Sequence, residues 1–129
     1  IASCLVGSEM CIRDRHYPIL FVSALTKRRV SNVLEKAWET FTKQKEKLST
    51  KDLNVWIEKA VKNYPPPATQ GKSIKIKFVE QVQQSPPIFA LFSNYPKLIS
   101  IQYLRYLHNQ LRESFDLKGI TIKFSLRKG

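Results

Sequence analysis

Cysteine is nearly missing from this chain, and its position matters more than its number. Cys4 and Cys11 are the whole complement, and both stand in the first fifteen residues beside the only methionine, Met10. Beyond residue 11 there is no thiol for a disulfide framework or a cysteine-ligated zinc site. Glycine is also scarce, and Gly71 and Gly119 stand alone in the body of the chain. No glycine-rich loop is therefore available to wrap backbone amides around a phosphate. No apolar run approaches the ~20 residues of a membrane-spanning helix. A secretory signal pattern is missing too, so the cytoplasm is the expected location. The last deficit is acidic charge: 10 Asp and Glu face 22 Lys and Arg, leaving +12. Such a surplus attracts polyanions at long range, and nucleic acid is the commonest of them in a cell.

What remains is globular in composition, with 43% apolar and 25% charged residues over 129 positions. That length bounds the chain to one ordinary domain, or a small domain plus a remnant of another. Residues 4–15, CLVGSEMCIRDR, contain a contiguous translation of one frame of a transposase-type sequencing adaptor. We therefore expect residues 1–15 to be an artefact and exclude them from fold reasoning, as a tag would be. Both cysteines and the methionine go with them. The genuine part is expected to be a piece of a longer protein.

Residues 17–22 form a short β-branched and aromatic run, expected as a buried strand. After Lys27-Arg28-Arg29 the spacing predicts a helix over 30–45, with Val30, Val33, Leu34, Ala37, Trp38 and Phe41 on one face. One strand and one helix cannot cover each other's apolar faces, so residues 16–46 read as the tail of an α/β domain. A second unit, 47–129, starts with Ser49 as N-cap and Asp52 three positions on, a short-armed capping box. Leu53, Trp56, Ile57, Ala60, Val61 and Tyr64 form its helical stripe until Pro65-Pro66-Pro67 stops it. Residues 73–79 alternate, with Ile74, Ile76 and Phe78 expected inward and Lys75 and Lys77 outward. Residues 88–92 are apolar on both sides, as a central strand would be. The next helix places Ile101, Leu104, Leu107, His108, Leu111 and Phe115 on its stripe, with Arg105 and Arg112 on a neighbouring line. Gly119 then supplies a helix stop or turn. The last strand, 120–126, turns Ile120, Ile122, Phe124 and Leu126 inward. The order α-β-β-α-β predicts an α+β domain, a three-stranded sheet with helices on one face.

Candidate chemistry is sparse. Gly71-Lys72-Ser73 resembles the end of a phosphate-binding P-loop, but Pro66 stands where its first glycine belongs and a strand follows instead of a helix. His108 lies on an apolar stripe with no nucleophile or paired carboxylate spaced to use it. Glu113 and Asp116 are isolated acids, read as salt-bridge partners. Charge is what the chain offers: from Lys47 onward fourteen Lys and Arg face five Asp and Glu, a surplus of nine.

Six blocks now carry a resemblance. They are SALT at 23–26, STKDLN at 49–54, NYPPP at 63–67, SPPIFALFSNYP at 85–96, YLRYLHNQLRESF at 103–115, and the closing IKFSLRK. From about Pro18 to Lys128 the chain resembles the C-terminal end of the ribosome-assembly GTPases called Der or EngA. That family has two consecutive GTPase domains followed by a KH-like domain. The resemblance implies that 16–46 is the last strand and helix of the second, P-loop GTPase domain and that 47–129 is the KH-like domain. It implies a guanine-recognition role for Ser23, Ala24 and Leu25, in which the alanine N–H faces the guanine oxygen. GTP and magnesium would be bound by the full-length parent. The phosphate, magnesium and Asn-Lys-x-Asp motifs are not in this sequence, so no GTP hydrolysis and no bound cofactor are expected of the fragment alone.

Ribosomal RNA, the large ribosomal subunit and the upstream GTPase domains are the implied partners. A typical KH domain clamps single strands with a G-x-x-G loop, and none exists here. The RNA-binding candidates are therefore the cations Lys72, Lys75, Lys77, Arg105, Arg112, Lys123, Arg127 and Lys128, with stacking by Tyr95, Tyr103 or Tyr106 as a possible addition. The competing expectation is an intramolecular regulatory domain that docks on the GTPase domains and has little RNA affinity of its own.

Overall fold

The computed structural model describes residues 17–129. The adaptor-like segment and His16 lie outside the described residues. Along the chain come α1 (Val30–Gln44), α2 (Thr50–Asn63), β1 (Ile76–Gln83), β2 (Ile88–Ser93), a 3-10 turn (Pro96–Leu98), α3 (Ile101–Ser114) and β3 (Lys123–Lys128). From α2 onward this is the expected α-β-β-α-β order of an α+β domain.

The sheet order is β1-β2-β3, so β2 is central as its two-sided apolarity requires. A four-residue connection lets β1 and β2 pair antiparallel, whereas β2 and β3 are parallel and need the α3 crossover. Phe89 and Leu91 of β2 turn toward the helices. There they join Leu53, Trp56 and Ile57 of α2, Tyr103, Leu107 and Leu111 of α3, and Ile120 and Ile122 ahead of β3. Both helices thus cover one face of the sheet. Burial of each such large side chain contributes roughly 1.5–3 kcal/mol.

Three local expectations are corrected. β1 begins at Ile76 and runs to Gln83, and its pairing slips between Ile76 and Phe78. The slip inverts the alternation. Ile74 and Ile76 point inward as expected, but Phe78 turns outward and Val79 and Gln81 take the inner positions. Ser49 stands at the N-cap of α2 without a side-chain capping bond, so the capping box does not form. Asn54 and Gln81 serve this region instead. The Asn54 Oδ1 accepts the Val79 N–H at 3.0 Å and Gln81 Oε1 accepts the Leu48 N–H at 2.8 Å, tying α2 and its lead-in to the edge strand. On α3 the stripe is rotated: Tyr103 is buried while Ile101 is exposed.

The end of α3 resolves the two options for Gly119. Asp116, at φ 48, takes the left-handed position that stops the helix, and the Leu117 N–H reaches the Arg112 carbonyl at 3.2 Å. Gly119, at φ 79, makes the following turn.

Residues 17–22, expected as a buried strand, form no strand; Ile19 and Phe21 are exposed. A strand needs a neighbour to satisfy its backbone groups, and no described residue offers that edge. The apolar face of α1 is likewise uncovered, with Trp38 70% exposed and no buried residue on the helix. α1 and the segment ahead of it still touch the second unit. Lys43 Nζ lies 2.7 Å from Asp116 Oδ2, and Pro18 Cδ lies 3.0 Å from where a Cβ on Gly119 would stand.

Candidate nucleic-acid interface

The parity of the strands decides which cations share a surface. Because Phe89 and Leu91 face the helices, Ile88, Ala90 and Phe92 face the other way, and their register partners Lys123, Ser125 and Arg127 share that outer face. Across β1, Phe78 pairs with Phe92 and the rings stack with centroids 4.1 Å apart. Phe78 remains 39% exposed. Lys75, one residue ahead of β1, and Lys77, at the slip, are exposed beside this face. Lys75, Lys77 and Arg127 therefore flank an aromatic pair on the helix-free side, while exposed Glu80, opposite Ala90, comes next along that face and Lys123, opposite Ile88, lies beyond it.

A second group forms at the end of the sheet where β2 and β3 finish together. Thr69 and Lys72 close a tight turn through Gln70 and Gly71, both at positive φ, the geometry of a type I′ turn. Asn94 holds that segment to the end of β2. Its Oδ1 accepts the Lys75 and Tyr95 N–H groups at 2.8 and 2.9 Å, and its Nδ2 donates to the Ser73 carbonyl at 2.9 Å. Lys72 and Lys128 meet here across a groove of about 350 Å³, and Lys97 joins them. The Lys72 ammonium lies 5.1 Å from the centre of the Tyr95 ring.

The arginines of α3 part company. Arg105 is exposed, whereas Arg112 is half-buried, with Nε sealed from solvent and one terminal nitrogen 3.5 Å from the Ile120 carbonyl oxygen. Seven residues of separation puts both on one line of the helix, but the lead-in to β3 covers only the second. The tyrosines separate in the same way. Tyr103 is core, its hydroxyl donating to the Tyr64 carbonyl at 2.9 Å. Burial first, then Tyr106 and Tyr64, push its pKa up to about 12. Tyr106 donates to the Ala60 carbonyl at 3.0 Å and is partly buried. Tyr95 is the exposed one.

Ser23, Ala24 and Leu25 lie in a loop closed by reciprocal Ser23 and Arg28 backbone bonds of 3.2 and 3.1 Å, with the Thr26 N–H 3.4 Å from Ser23 Oγ. Ala24 and Leu25 are exposed. Residue spacing pointed to neither Lys97 nor the meeting of Lys72 with Lys128. The one available signal was the Asn94-Tyr95-Pro96 turn, which returns the chain beside residues 72–75.

Among the described residues, ion pairs engage only Lys36 and Lys43 of the cations, and none of the eight candidates has a carboxylate partner. No group of three or more His, Asp and Glu among them is placed to hold a metal ion. No helix among them is long and apolar enough to cross a membrane. With Glu80 as the carboxylate on the outer sheet face, the surface offers a surplus of positive charge and accessible aromatic rings, and that is its chemistry.

A three-stranded mixed sheet covered on one side by two helices, in α-β-β-α-β order, defines a KH-like α+β module. The family model described as the KH-domain-like region of EngA bacterial GTPase enzymes, C-terminal, matches residues 47–127, and the chain belongs to this family. It is 44% identical over 113 residues to the GTPase Der of Amoebophilus asiaticus, covering 88% of this chain and 26% of that protein. Against the GTPase Der of Bacteroides fragilis the identity is 42% over 126 residues, with 93% and 29% covered. Against that of Flavobacterium johnsoniae it is 40% over 111 residues, with 86% and 25% covered. The chain spans about a quarter of the length of the curated relatives it matches.

Proposed function

We propose that the chain is the RNA-directed end of a Der-type GTPase that acts in assembly of the large ribosomal subunit in the cytoplasm. In this reading GTP and magnesium are held by upstream GTPase domains, and Ser23, Ala24 and Leu25 contribute the guanine-recognition loop. The KH-like domain attaches to ribosomal RNA through phosphate contacts, without a G-x-x-G clamp. The observation that carries this reading is the set of exposed lysines and arginines with no carboxylate partner on two adjoining surfaces of the sheet. Left unpaired, they repel one another, and a phosphate backbone relieves that repulsion while releasing counterions.

The test is the salt dependence of binding between this chain and ribosomal RNA. Affinity should fall steeply and linearly on a log–log plot, by about one unit of slope per phosphate contact. Lys75→Glu, Lys77→Glu and Arg127→Glu together should abolish binding, and in the full-length protein should block assembly while leaving GTP turnover unchanged. Unchanged assembly with altered turnover would support the second reading, an intramolecular regulatory domain. One contact favours that alternative: Lys43 of α1 pairs with Asp116 beyond α3, joining the remnant to the KH-like domain.

A further inference from the structure

The eight candidate cations do not all face one way, so the nucleotide-recognition site needs a more specific location. We propose that the groove at the shared end of β2 and β3 is a nucleotide pocket for unpaired RNA, in which Lys72, Lys97 and Lys128 hold a backbone phosphate and Tyr95 stacks on the adjoining base. This deepens the RNA reading above and rests on it.

Three lysines line a groove of about 350 Å³, and no acidic residue lines it with them. Like charges brought together in a concave site raise one another's energy, and an anion is the ligand that reverses the sign of that interaction. The walls are pre-set. Asn94 ties residues 73–75 to the end of β2 through two side-chain bonds, and a third, from the Tyr95 N–H, fixes the turn that follows. The Leu98 N–H donates to the Tyr95 carbonyl at 3.1 Å, holding the turn that carries Lys97. Tyr95 is 40% exposed, unlike Tyr103, and Lys72 lies against its ring. A phosphate beside an exposed aromatic ring is the pairing that single-stranded recognition uses, since every base has a stackable face. A paired stem keeps its bases stacked internally and cannot use the ring, so the occupant is a loop or an unpaired strand.

The experiment measures fluorescence anisotropy of the 129-residue chain with a ribosomal RNA stem–loop carrying a six-nucleotide unpaired loop. The fully paired stem and a twelve-residue poly-glutamate peptide serve as comparison probes. Lys97→Gln and Lys128→Gln should each weaken stem–loop binding about three- to tenfold and lower the salt slope by about one unit. Tyr95→Leu should weaken stem–loop binding about tenfold and leave binding of the paired stem within twofold. Lys59→Gln and Lys62→Gln, exposed on α2, should change neither. If the wild-type chain binds the stem–loop and the groove variants bind it equally well, the pocket assignment is overturned while the RNA reading stands. If the wild-type chain binds no RNA at any salt concentration, the RNA reading itself fails. Binding of the poly-glutamate as tightly as the stem–loop, with Tyr95→Leu indifferent to both, would overturn the pocket in favour of an acidic protein segment.

Discussion

His108 offers a quantitative check on the packing of α3 against the sheet. Its ring meets Phe124 of β3 edge-on, with centroids 4.5 Å apart. Burial first, and then the charge of Arg112, lower its pKa from 6.5 to about 4. The unfolded chain takes up this proton below pH 6.5, whereas the folded chain refuses it until about pH 4. Within that window the unfolded state binds more protons, so stability falls as the pH drops and is restored as it rises. A shift of this size is worth ~3 kcal/mol at ~1.4 kcal/mol per pH unit. Because the ring keeps part of its contact with solvent, we expect ~1–2 kcal/mol. Urea unfolding at pH 7.5 and pH 4.5 measures it, with His108→Leu as the variant that cannot titrate. Glu39 and Asp116, both held below their ordinary carboxylate values by lysine partners, contribute to acid destabilisation in both proteins and cancel in the comparison. Wild type should lose ~1–2 kcal/mol more than the variant between the two pH values. Equal losses, or a histidine proton resonance at position 108 titrating near pH 6.5, would refute the buried, neutral assignment.

Two smaller perturbations probe the turn after α3 and the central strand. Gly119→Ala forces a side chain into φ +79 and places its Cβ 3.0 Å from Pro18 Cδ. It should cost ~1–2 kcal/mol in urea unfolding, and a neutral result would show that the turn relaxes freely. Ser93→Ala acts in the opposite sense, because Ser93 is fully buried in β2 and its hydroxyl has no hydrogen-bond partner among the described residues. Removing it should be neutral or stabilising by up to ~1 kcal/mol, and a loss above that would mean that the hydroxyl is satisfied.

The architecture was legible wherever a local period carried it. Two helices, three strands, the central place of residues 88–92 and the inward parity of Ile120, Ile122, Phe124 and Leu126 follow from spacing within short windows, but the last strand, expected over 120–126, runs Lys123–Lys128 and leaves Ile120 and Ile122 in its lead-in. What escaped depended on neighbours distant in sequence. Nothing between Ser73 and Val79 marks where the ladder to β2 slips, yet that slip decides whether Phe78 or Val79 is core. Apolarity alone places the stripe of α3 on Ile101. The rotation of the helix against the sheet puts Tyr103 inside, since its ring can bury while its hydroxyl reaches the Tyr64 carbonyl. The strand expected at residues 17–22 failed for the same kind of reason, as periodicity specifies a face and leaves its cover unspecified.

The groove was the least legible feature, because its three lysines are separated by 25 and 31 residues and meet only through the register of β2 with β3 and the clasp of Asn94. Yet Asn94, Tyr95 and Pro96 belong to one of the blocks that carry the family resemblance. Their roles here are physical: Asn94 ties two backbone segments together, Pro96 opens the 3-10 turn that presents Lys97, and Tyr95 is left facing solvent. Folding alone accounts for the asparagine and the proline. It does not require an exposed aromatic ring in a groove lined by three lysines without carboxylate partners, which is the combination the proposed pocket uses.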